Sequence, residues 1–184
     1  MLLLLAAFAA LVLGVLLLRT SQSRRQALGI PNGDVFYQDH RAQPMPANTL
    51  TSKAWGLRGK PDCLIRNSDG IIPVELKKSS RPPSRGGVYP NHLIQVLAYI
   101  VLVREHFGEE VPYGLVLYGN EEGRRVYPTP ENLAWLKSVV EQIQSARNAA
   151  DVDRSHRQVN RCRGCGMRES CDQSLVASIS VASS

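Results

Sequence analysis

Charge is missing from the first eighteen residues of this chain, cysteine from everything before Cys63, and no internal repeat is visible along its 184 residues. The missing repeat excludes a solenoid or propeller, in which one unit recurs at a fixed period. Cysteine totals four, three of them between Cys162 and Cys171, which excludes a fold framed by disulfides spread through the chain. The uncharged run from Met1 to Leu18, ended by Arg19, has the composition of a membrane helix at the short end of the usual range. A signal peptide is the competing reading, but no basic segment precedes the run and no small-x-small cleavage pattern follows it before Arg19. Arg19, Arg24 and Arg25 flank it on the C-terminal side and predict a cytoplasmic soluble domain.

What remains after the apolar run is enough for one domain with a real core. The organisation expected is a transmembrane helix over 1–19 and a polar juxtamembrane linker over 20–33, closed by Pro31-Asn32-Gly33. A core over 34–150, a cysteine-bearing segment over 151–175 and a disordered tail over 176–184 follow. A formal charge of +6 and a pI near 9.4 suit a polyanionic partner, although the arginines beside the apolar run account for part of the excess.

Within the core, Gly59-Lys60-Pro61-Asp62 runs into the apolar Cys63-Leu64-Ile65, and Ile71-Ile72-Pro73-Val74 runs into Glu75-Leu76-Lys77. Asn67-Ser68-Asp69-Gly70 between them is a hairpin turn signal, so two antiparallel strands would bring Asp62 and Glu75 together. Alternation along a strand puts Glu75 and Lys77 on one face and Leu76 on the other. Two hard oxygen donors suit a divalent cation, and a lysine beside them suits activation of water and docking of phosphate. An isolated Glu-x-Lys is commonplace on a solvated strand; here Val74 and Leu76 give the strand a buried back face. Further on, Gln95 and Tyr99 lie four apart in Gln95-Val96-Leu97-Ala98-Tyr99, and on a helix they share a face.

This set resembles the PD-(D/E)xK nuclease superfamily, with Pro61-Asp62 and Glu75-Leu76-Lys77 at its defining motif and Gln95 and Tyr99 at the glutamine and tyrosine motif of the RecB-like branch. Cys162-Arg163-Gly164-Cys165 and Cys171 are similar to the cysteine cluster of the CRISPR-associated exonucleases of that branch, which carry an iron-sulfur cluster. The likeness runs from about Leu57 to Leu175. It implies an α/β restriction-endonuclease-like core, a mixed central sheet flanked by helices. It further implies that Asp62 and Glu75 hold Mg²⁺ or Mn²⁺ with the backbone carbonyl of Leu76, that Lys77 activates water, and that Gln95 and Tyr99 order the site. DNA is the implied substrate and exonuclease action the implied mode. An upstream histidine ligates the metal in RecB-like enzymes; His40 is the candidate, although its polar segment also suits a solvated loop. A catalytically silent nucleic-acid-binding protein and a metal or redox sensor are the alternatives on the same fold.

A four-iron cluster needs four ligands. The fourth cysteine of the family lies upstream of the core, where this chain has none. Cys63 is one substitute, although as the strand neighbour of Asp62 it faces away from the site and suits a core residue; His156 is the other, and would give a His/Cys₃ set fit for zinc or a cluster.

Coarser signals fill in the rest. Asp34 to Tyr37 reads as a short strand and Arg41 to Ser52 as an irregular arm. Arg58 to Ile65 and Ile71 to Lys77 form the hairpin, and Ser79 to Pro90 is a loop beside the site. A helix from Asn91 to Phe107 ends at Gly108, with His92 near its start, and Tyr113 to Tyr118 is a strand on which Arg124 to Tyr127 folds back. A helix opens at Thr129-Pro130-Glu131 with Leu133, Leu136, Val140 and Ile143 on its core face. Arg58, Lys60, Lys77, Lys78, Arg81 and Arg85 are the expected phosphate contacts.

Overall fold

The computed structural model describes residues 2–38, 49–78, 81–119 and 122–176. They divide into two compact units, residues 1–140 and 141–184. The first carries α1 (Leu2–Ala27), β1 (Asp34–Gln38), β2 (Leu50–Ser52), β3 (Leu57–Gly59), β4 (Cys63–Asn67), β5 (Gly70–Lys77), α2 (Pro90–Phe107), β6 (Gly114–Tyr118), β7 (Glu122–Val126) and the start of α3 (Pro130–Asn148). The second contains the rest of α3 and the short α4 (Val159–Arg163).

Five strands form one sheet in the order β1-β4-β5-β6-β7, and β2 pairs with β3 apart from it. Ser68 and Asp69 alone connect β4 to β5, whose ends pair at Asn67 and Gly70. The Asn67 side chain accepts from the Asp69 amide at 2.9 Å, and Gly70 has φ +127° with the Glu110 carbonyl 2.1 Å from where a Cβ would stand. No residue but glycine fits there. β5 and β6 are parallel, which needs a crossover, and α2 supplies it; every other pair in the sheet is antiparallel. The sheet is therefore mixed, and this is the α/β arrangement the sequence predicts.

Alternation along the strands sorts the core into two layers. Leu64, Ile71, Val116, Tyr118 and Val126 share one with the buried face of α2, from Val96 to Val103. Cys63, Ile65, Ile72, Val74, Tyr113 and Leu115 form the other, with Ile30 and Leu117 against it. The two-residue period of the strands and the helical period of α2 thus meet on one face of the sheet.

Several boundaries depart from the sequence reading. Helix α1 does not stop at residue 19 but continues through Ala27, because Thr20 to Ala27 contains neither Gly nor Pro and is rich in helix formers. Its stretch from Leu4 to Ala27 is long and apolar enough to cross a membrane and is entirely unburied, unlike a core helix; a signal sequence would share its length and composition. The irregular arm ends in a strand, since Leu50–Ser52 pairs with Leu57–Gly59, while residues 39–48 lie outside the described residues. Arg58 to Ile65 is not one strand. Pro61, buried and without an N–H, falls in the gap between β3 and β4.

In α3, Leu136 is buried and Leu133 and Val140 pack on the core, but Ile143 is 54% exposed. Helical spacing shows which residues share a side, not how far along the helix a partner surface extends. The expected disordered tail falls, apart from Val176, outside the described residues.

Candidate active site

Asp62 stands just before β4, two residues from Leu64, and Glu75 and Lys77 alternate with Val74 and Leu76 on β5. All three therefore belong to the sheet face that α2 covers. Cys63 pairs with Val74, so Asp62 is next in register to Glu75. Its carboxylate takes over from the strand ladder there: Asp62 Oδ2 accepts the Leu76 amide at 2.7 Å. The Asp62 side chain is thereby fixed to the backbone that carries Glu75.

From above, α2 delivers Gln95 and Tyr99 one turn apart. Lys77 Nζ lies 2.7 Å from Glu75 Oε1 and donates to Gln95 Oε1 at 2.9 Å. The Gln95 amide donates in turn to Glu75 Oε1 at 2.9 Å and to the Tyr99 hydroxyl at 2.9 Å. Gln95 can bridge all three because its amide end offers both an acceptor and two donors. Glu75, Lys77, Gln95 and Tyr99 thus form one hydrogen-bonded set, and Asp62, bonded to the Leu76 amide between Glu75 and Lys77, completes a group scattered over 38 positions of sequence.

Burial sets its electrostatics. Desolvation raises the Glu75 carboxyl above its ordinary range and the Asp62 charge adds to this, while Lys77 and Gln95 pull it back. The Lys77 ion pair is short, yet Glu75 is only 6% exposed, and loss of water outweighs the pair. Tyr99 is pushed up to about 12, chiefly by burial, so its phenol is a neutral hydrogen-bonding group and not a base.

His92, one turn before Gln95, is buried with its Nδ1 3.0 Å from the Tyr118 hydroxyl. Burial, and then the Lys77 charge, lower it toward the neutral imidazole. Tyr118 pairs with Lys77 across the parallel strands and accepts from the Tyr89 amide at 3.4 Å. The sequence places His92 near the site, at the start of the Gln95 helix, and the spacing of three puts both on one side of that helix; the Tyr118 and Tyr89 partners have no such signal. His40 lies outside the described residues. Arg58, Lys78, Arg81 and Arg85 are exposed and Lys60 is half-buried.

Cys63 belongs to the apolar layer on the far face of the sheet, 7% exposed, its thiol raised to about 11 by burial, then by the Asp62 charge. A neutral thiol packed among Ile65, Ile72 and Val74 is a core residue. In the second unit the expected cysteine loop is the short α4 followed by turns. Cys162 is buried, Cys171 half-buried and Cys165 exposed; together with His156 they line one cavity of ≈ 270 Å³. The donors suit a thiolate-bound metal in kind but do not converge on a point. Among the described residues no three His, Cys, Asp or Glu side chains gather as a metal-binding group. The carboxylates that the hairpin brings together are two, Asp62 and Glu75.

No curated protein is a significant match to the chain. The family model of the PD-(D/E)XK nuclease superfamily matches residues 14–172, a span that takes in the whole hairpin, the crossover helix and the cysteines. With a match over well more than half of its length, the chain belongs to the PD-(D/E)XK nuclease superfamily.

Proposed function

We propose that this protein is a membrane-tethered, divalent-metal-dependent deoxyribonuclease of the RecB-like branch that hydrolyses phosphodiester bonds, by exonuclease action. The observation that carries the reading is the hydrogen-bonded set of Glu75, Lys77, Gln95 and Tyr99 between β5 and α2, with Asp62 held beside it by the Leu76 amide. Gln95 and Tyr99 support the RecB-like assignment, because they do not merely edge a helix but reach the carboxylate and the lysine.

Asp62 and Glu75 would hold Mg²⁺ or Mn²⁺, with the Leu76 carbonyl as a further ligand. Hard oxygen donors fit that cation, and a buried carboxylate raised toward its neutral acid gains from a positive partner. When bound, the ion lowers the pKa of water and neutralises charge on the phosphate. Lys77 sets its ammonium against Glu75, where it orients the attacking water and meets a phosphate oxygen. Gln95 fixes Lys77 and Glu75 to each other, and Tyr99 holds the Gln95 amide in that orientation. The water oxygen bonds to phosphorus as one ester P–O bond breaks, and the departing oxygen takes up a proton.

Cys162, Cys165, Cys171 and His156 would hold a [4Fe–4S] cluster or zinc in the second unit, supported by the one cavity they line. Helix α1 would span the membrane and leave the nuclease in the cytoplasm, supported by its unburied apolar surface and by Arg19, Arg24 and Arg25.

The test is cleavage of labelled single- and double-stranded DNA by anaerobically purified protein, with Mn²⁺ or EDTA, beside Glu75→Ala. Cleavage that needs metal and is lost in the variant is expected. No cleavage by folded, metal-replete wild type would overturn the proposal in favour of a silent nucleic-acid-binding or sensing protein.

A further inference from the structure

Arg124 has no role in the mechanism above, yet it belongs to the same sheet face. Glu75 pairs with Val116, and Val116 with Arg124, so the three occupy one row across β5, β6 and β7. With strands about 4.8 Å apart, the backbones of Glu75 and Arg124 stand about 10 Å apart. The guanidinium is unevenly partnered. Nη2 meets Glu122 at 3.0 Å, whereas Nε is buried with no hydrogen-bond partner, the one such side-chain atom among the described residues. A buried donor left in that state loses its hydration with nothing in exchange.

Space lies beside it. A Cβ on Gly86 would sit 3.8 Å from Arg124 Nη1, and one on Gly87 would meet nothing within 4 Å. Both glycines have positive φ, +78° and +73°, in the loop between β5 and α2. Two residues on, Tyr89 ties the end of that loop to the Tyr118 hydroxyl. The backbone at Gly86 and Gly87 therefore has no side chain where it comes near Arg124, as an approaching phosphodiester requires.

We propose that Arg124, beside the Gly86-Gly87 backbone, is a second phosphate subsite that grips the substrate strand away from the bond being cut. This rests on the nuclease reading. The subsite takes a phosphodiester one to three nucleotides from the scissile one, since each nucleotide advances about 3.4 Å along a strand. Glu122 holds the fork at rest; at 42% side-chain exposure it can release the fork to phosphate, and exposed pairs of this kind contribute little. Turned onto a phosphodiester, the guanidinium gains the bidentate acceptor that its resting arrangement lacks.

The experiment is steady-state cleavage of labelled DNA by the full chain in Mg²⁺, comparing wild type, Arg124→Gln, Arg124→Lys and Glu75→Ala at several salt concentrations. Arg124→Gln is expected to raise KM about tenfold with kcat changed by less than about threefold, and Arg124→Lys to recover part of the loss. The slope of log KM against log salt becomes shallower by about one. A single methylphosphonate placed one to three nucleotides from the cut bond raises the wild-type KM but not that of Arg124→Gln. Wild-type KM and salt slope in Arg124→Gln, or the same methylphosphonate penalty in both proteins, would overturn the subsite while loss of cleavage in Glu75→Ala keeps the nuclease. Should Arg124→Gln not fold, the methylphosphonate scan on wild type decides alone: no penalty near the cut overturns the subsite. Absence of metal-dependent cleavage in wild type overturns both.

Discussion

Burial and the Asp62 charge push Glu75 toward its neutral acid, and Lys77 and Gln95 hold it back, so at the proposed metal site its proton is the one a cation would displace. Mn²⁺ affinity, read by calorimetry, should fall as pH drops through the raised pKa of Glu75. Lys77→Met removes the main opposing contact and should move that fall to higher pH; an unmoved profile would mean that Lys77 does not govern Glu75. The same shift has a stability sign. A carboxyl that binds its proton more tightly when folded favours the fold below its unfolded pKa, and that contribution is lost as pH rises through the folded value. Metal-free protein should therefore lose melting temperature across that window, and Glu75→Gln should flatten the profile. Glu75→Ala and Lys77→Ala should each reduce metal-dependent cleavage by at least about a hundredfold, with the circular dichroism of wild type retained.

Elements place these residues, and their stability can be probed apart from the chemistry. Gly70→Ala puts a Cβ against the Glu110 carbonyl at a positive φ, and should destabilise by about 1–3 kcal/mol in a denaturant titration. Leu102→Ala, in the fully buried face of α2, should cost about 2–5 kcal/mol. Much of this was legible in the chain. Asn67 to Gly70 announces the turn, alternation assigns Glu75 and Lys77 to one face, and the interval of four joins Gln95 to Tyr99. What periodicity does not contain is a partner. Nothing in Leu50-Thr51-Ser52 says that it pairs with Leu57 to Gly59, nor does the stripe of α3 reveal that Ile143 lies beyond the core. Arg124 is equally silent in sequence, because its significance is its row in the sheet, which exists only once β6 has paired on both sides.

At the scale of the whole molecule, the apolar helix and the cysteine segment are the two features that the proposed catalytic constellation does not require. Deleting residues 2–23 should abolish sedimentation with liposomes and leave cleavage within about twofold, since Arg24 and Arg25, whose carbonyls accept from the Leu28 and Ile30 amides, then stay in place. Sedimentation by the truncated chain would sink the tether. Iron, zinc and acid-labile sulfide analysis of anaerobic protein tests whether the thiol cavity holds the proposed cluster or zinc. Cys162→Ser should lower that content, and Cys63→Ser should leave it unchanged because Cys63 is packed in the sheet's apolar layer.

The parallel pairing of β5 with β6 also orders events in time. The hairpin that bears Asp62, Glu75 and Lys77 closes through a two-residue turn, a step of about 1–10 μs in small peptides. Gln95 and Tyr99 arrive only with the crossover helix, whose return strand must find partners such as Val116 for Glu75, far along the chain. Non-local pairing of this kind is slow. A growing polypeptide therefore carries its acidic pair early and gains Gln95 and Tyr99 late, and the hydrolytic competence proposed for the site becomes a property of the finished fold.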